Sequence, residues 1–67
     1  MLTFTSTNNA VEQSKFHTVH ELELIRKYHS DKAVECGLEA DYDGAVFHAV
    51  QAQFAKEAID AKGDGKK

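Results

Sequence analysis

The chain has no proline, no tryptophan, one cysteine and one methionine in 67 residues. A lone Cys36 excludes an internal disulfide framework and suits a reducing compartment. Apolar runs are only a few residues long, and residues 1–20 lack a basic stretch followed by an apolar one. Neither a signal peptide nor a membrane span is therefore expected, and the expected location is cytoplasmic. Basic excess is also missing: 8 Lys and Arg stand against 11 Asp and Glu, a net charge of −3. That balance argues against a broad nucleic-acid footprint.

Large apolar residues are scarce as well. Nine hydrophobic residues are alanine, leaving five Val, four Leu, four Phe, two Ile, two Tyr and the single Met and Cys for a bulky core. A chain of this length buries only about 60% of its unfolded surface and commonly leans on a partner or a metal. One domain over residues 1–62 is expected, with residues 63–67 a disordered tail that has nothing to bury. A substrate cavity of about 300 Å³ is hard to enclose with so few bulky side chains. An enzyme is not expected.

What is present is helical periodicity. Thr18-Val19-His20-Glu21 has the form of a capping box, in which hydroxyl and carboxylate satisfy amides at a helix start. Val19, Leu22, Ile25, His29, Ala33 and Cys36 then recur at steps of three and four residues and share one face. Gly37, able to take positive φ, is the expected stop, giving a helix over 18–36. A second helix is expected over 43–62, capped by Asp41 or Asp43. On it Val46, Phe47, Val50 and Phe54 form a bulky stripe expected to face the first helix, with Ala45, Ala49 and Ala52 on the opposite side.

The first 17 residues admit two readings. Leu2-Thr3-Phe4-Thr5 alternates like a strand, Thr7-Asn8-Asn9 reads as a turn, and a second strand could end near His17, giving a short β-hairpin. Alternatively Asn9 and Glu12 form a capping pair for a helix from residue 10, or the segment is a loose arm. The expected fold is mainly α: an antiparallel two-helix hairpin preceded by an extended segment or short β-hairpin, with a ββαα α+β arrangement as the alternative.

Several residues invite chemistry. Glu39-x-Asp41-x-Asp43-Gly44 resembles the first half of an EF-hand calcium loop, but Val50 stands where the bidentate glutamate would be. Asp41 and Asp43 are better read as helix caps. His17 and His20 lie three residues apart, but no third ligand is spaced with them, and a transition-metal site would need His48 brought in by the fold. No cofactor is expected. His29, inside the apolar stripe, is the candidate pH-sensitive residue. Cys36 falls on the inward face near a helix C-terminus, where the dipole raises a thiol pKa, so a structural role is expected.

These readings favour a small protein–protein interaction module, a regulator or inhibitor docking a helical face or the acidic stretch 35–43 on a larger protein. Glu35, Glu39, Asp41, Asp43, Phe47 and Phe54 are its candidate contact residues, and a homodimer is the expected self-assembly. A small nucleic-acid-binding helical protein, resting on Arg26 and Lys27, and a metal-binding helix-loop-helix are the alternatives.

Overall fold

The computed structural model describes residues 3–64. The protein is mainly helical, with α1 at Thr7–Gln13, a 3₁₀ turn at Ser14–Phe16, α2 at Val19–Leu38 and α3 at Tyr42–Asp64. No strand occurs among the described residues. Where alternation suggested a β-hairpin, the chain forms α1 instead. Ser6 caps it, its hydroxyl accepting from the Asn9 amide at 3.1 Å while the Asn9 side chain accepts from the Thr5 amide at 3.2 Å. This reciprocal cap outweighs a two-step alternation that covers only four residues. Leu2, part of that alternation, lies outside the described residues.

α2 starts as its sequence requires. The Thr18 hydroxyl accepts from the Glu21 amide at 3.1 Å, and the Glu21 carboxylate accepts from the Thr18 amide at 2.8 Å. That backbone bond is the main reason the Glu21 carboxyl titrates below its ordinary range, with His17 and His20 adding to it. The helix ends two residues later than expected. Asp41 N–H donates to Cys36 O at 2.8 Å and Ala40 N–H to Gly37 O at 3.2 Å, a Schellman pattern with Ala40 as its left-handed residue at φ 60°. Gly37 stays helical.

Asp41 then caps α3, its carboxylate accepting from the Gly44 amide at 3.2 Å. α3 also outruns its expected end. Gly63 and Asp64 are helical, and residues 65–67 of the expected tail lie outside the described residues. Its C-terminal half is tied to the N-terminal segment, with Lys62 Nζ donating to Ser14 O at 3.0 Å and the Thr7 hydroxyl to Glu57 at 2.9 Å.

α2 and α3 pack on each other, and α1 packs on α3. Leu22, Ile25 and His29 are buried on α2 as their spacing implies. The face that α3 buries is not the expected one. Gln51, Ala55 and Ala58 are buried, whereas Val46, Phe47 and Val50 are 63%, 47% and 43% exposed. Only Phe54 of the bulky stripe packs against the core, together with Ile59. Small residues let α3 approach α2 closely, and the buried volume is completed from outside the pair by Phe4 and Ala10.

Phe4 is held by an amide pair that sequence periodicity does not disclose. Its N–H donates to Gln51 Oε1 at 2.6 Å, and Gln51 Nε2 donates back to Phe4 O at 2.7 Å. The buried glutamine thus takes the place of a neighbouring strand for one residue of extended chain.

Two outcomes follow. Gln51→Ala strands both backbone groups of Phe4 and should destabilise the fold by about 1–3 kcal/mol in denaturant unfolding, with the Phe4 amide losing exchange protection. Ala40→Gly removes a left-handed alanine and should stabilise by about 1 kcal/mol in the same assay.

Candidate functional site

The Schellman turn places the residue after the left-handed position beside the last turn of α2, which here brings Asp41 onto Cys36. Gly44 completes this junction. A Cβ there would lie 2.5 Å from Asp41 Oδ2 and 3.1 Å from Cys36 Sγ, so the approach of α3 to the end of α2 depends on glycine. Cys36 is half-buried, and desolvation pushes its thiol pKa up. The Asp41 carboxylate adds to this, by charge and by accepting a hydrogen bond. The thiol is thus a donor to the carboxylate that caps α3.

Further from the turn, the buried face of α2 and the small-residue face of α3 meet at two histidines. His29 Nδ1 and His48 Nδ1 are 2.9 Å apart, with their rings stacked at 29° and centroids 5.1 Å apart. A neutral imidazole has one N–H and one lone pair, so this contact holds a single proton, one ring donating and the other accepting. Tyr28 lies edge-on to His29 at 5.2 Å and His48 at 6.4 Å. Phe47 lies edge-on to His48 at 5.1 Å and His29 at 6.5 Å. The pair therefore sits between two aromatic walls, with His29 buried and His48 half-buried. Lys32 Nζ approaches the Tyr28 ring at 5.8 Å.

The other sequence candidates are distributed rather than gathered. Glu35 pairs with Lys32 at 3.6 Å, Glu39 is exposed at the end of α2, and Asp43 is exposed in the first turn of α3. Asp41 is the cap already described. Among the described residues no group of three or more His, Cys, Asp or Glu is arranged to hold a metal ion. His17 lies 3.9 Å from Glu21, and His20 is exposed on the first turn of α2. Phe47 joins the histidine pair, whereas Phe54 goes to the core.

Tyr28 and Gln51 were not among the candidates drawn from the sequence. The signal for α3 was present in the alternating steps of four and three from Gly44 through His48, Gln51, Ala55 and Ala58. It was hidden because the competing stripe carries larger side chains.

Replacing Asp41 by Asn keeps an equally good cap but removes the charge beside the thiol. Asp41→Asn should retain the helical spectrum and alkylate faster at Cys36 with iodoacetamide at fixed pH. Its pH–rate midpoint should fall from the raised wild-type position towards that of an ordinary thiol.

No family model, curated protein or solved structure matches this chain.

Proposed function

We propose that the protein is a small interaction module, a regulator or inhibitor in which α2 and α3 form an antiparallel hairpin that docks one helical face on another protein. The observation that carries this reading is a strip of apolar side chains left at the surface beside the histidine pair. Tyr28 and Phe47 flank the pair, Leu24 lies one turn from Tyr28, and Val50 lies one turn from Phe47. Leu24 is 52% and Tyr28 37% exposed. Helical spacing sets these residues along one edge of the α2–α3 seam, continuous with Phe54 and the Phe4 docking position. Aromatic anchors next to a seam are the usual centre of a protein–protein contact.

The exposed acids Glu35, Glu39 and Asp43 around the turn give the neighbouring surface a charge suited to a basic partner. A larger cellular protein and a second copy of the chain are the two partner classes this surface fits. The nucleic-acid alternative is less supported. Lys27 pairs with Asp31 at 3.1 Å, Lys32 with Glu35 at 3.6 Å and Lys56 with Asp60 at 2.9 Å, which leaves these cations interleaved with acids rather than forming a basic stripe. Among the described residues no helix is long and apolar enough to cross a membrane.

Phe47 is the residue on which the reading turns, because it is exposed where Phe54 supports the core. Sedimentation at micromolar concentrations should show a homodimer in equilibrium with a monomer, and Phe47→Asp should give monomer alone with the helical spectrum retained. A chain that sediments at 7.4 kDa at every concentration would remove the self-association reading. In that case a photo-crosslinking side chain at position 47 that captures no cellular protein would remove the docking face as a whole.

A further inference from the structure

We propose that a second copy of this chain covers α3, the two α3 helices packing antiparallel through their uncharged middle. The inference rests on the docking reading above and fixes its partner. No Asp, Glu, Lys or Arg occurs from Gly44 to Ala55, a span of about three helical turns. In α2, by contrast, successive charged residues are never more than four positions apart. The core accounts for only one side of the uncharged span. Val46, Ala49, Val50 and Gln53 are exposed, as is Tyr42 just before it at 70%. A helix face open to water ordinarily carries charge, whereas charge depletion beside aromatic residues is the composition of an interface core.

The face is self-complementary in shape. Tyr42, Val46, Val50 and Phe54 follow at four-residue steps and form a ridge, and Ala45, Ala49 and Gln53 form a shallower row beside it. The ridge of one copy fits the shallow row of the other, and a two-fold axis near Ala49 makes the fit reciprocal. A foreign partner of either charge finds no counter-charge on this span, while a second copy needs none. From their fractional exposures, Tyr42, Val46, Phe47 and Val50 leave roughly 400 Å² per chain, and with Ala49 and Gln53 the pair buries about 1,000 Å², the size at which a specific interface begins.

Charge decides the orientation. Asp31, Glu35, Glu39, Asp41 and Asp43 stand against Lys32 alone around the turn, whereas Lys56 and Lys62 balance Glu57 and Asp60 further along α3. A parallel pair would lay two acidic turn ends side by side. The antiparallel pair lays each beside the balanced half of its partner and sets the two helix dipoles in opposition.

Disulfide trapping tests this in full chains carrying Cys36→Ser. Ala49 lies near the axis, so Ala49→Cys should link to its own copy under mild oxidation at micromolar concentrations. Val46→Cys mixed with Gln53→Cys should give the mixed dimer in preference to either homodimer. Tyr42→Cys should stay unlinked, because antiparallel pairing holds the two copies of that position about 20 Å apart. Without any added cysteine, Ala49→Glu sets two carboxylates at the axis and should raise the dimer dissociation constant at least about tenfold, with the helical spectrum unchanged. A dimer that sediments normally but leaves Ala49→Cys unlinked, links Tyr42→Cys instead, or tolerates Ala49→Glu overturns the α3 pair and leaves the docking face standing. A chain monomeric at every concentration overturns it too, and capture at position 47 then decides the docking reading separately.

Discussion

The small-residue face that α3 turns towards α2 is the constraint on which the remaining packing depends. With Gly44, Ala55 and Ala58 on that side, the two helices can lie close enough for the Asp41 cap, the Cys36 thiol and the Gly44 backbone to meet within contact distance. Close helices leave little volume between them. The larger apolar side chains of α3 are displaced, Phe54 and Ile59 towards the core contributed by Phe4 and Ala10, Val46, Phe47 and Val50 towards solvent. The same geometry that makes a thin core sufficient also exposes an apolar strip.

A core this thin includes polar groups, and each is answered by a specific partner. Gln51 is matched by the backbone of Phe4, His29 by His48, and the Ser14 hydroxyl by Val11 O at 2.5 Å. Among the described residues no buried side-chain nitrogen or oxygen is left without a partner. Such groups add little net stability but penalise misregister, because a slipped helix would leave them desolvated and unpaired. They set which residues of α3 face α2 more stringently than hydrophobicity can. Asp41 has an equivalent role at the turn, where one residue closes α2, caps α3 and holds the thiol proton.

Two neighbouring features arise from this arrangement. The histidine pair lies in the seam, and the apolar strip lies along its edge, with Tyr28 and Phe47 belonging to both. A partner seated on the strip would cover the solvent side of His48 and so change access to the pair.

Local rules by themselves determined much of the helical framework. Thr18 and Glu21 start α2 because the cap needs only a hydroxyl and a carboxylate three residues apart, and Leu22, Ile25 and His29 are buried on the face that their spacing of three and four residues marks out. Asp41 as a cap was legible for the same reason, since it depends on residues close in the chain. Three outcomes were decided only by the tertiary structure. The extended segment before the locally capped α1 docked on α3 rather than pairing as a hairpin, because Gln51, forty-seven positions away, supplies the bonds that hold Phe4. The stop after α2 fell on Ala40 rather than Gly37, because the chain turns where Asp41 can serve both helices. Most consequentially, α3 buried Gln51, Ala55 and Ala58, while Val46, Phe47 and Val50 of the bulky stripe stayed exposed and Ala49 on the opposite side was exposed too. Periodicity reports that a helix has two unlike faces, but which one lies inward depends on the distance between helices and on polar partners the neighbouring chain provides. His29 could be read as buried from its own helix; that it meets His48 could not.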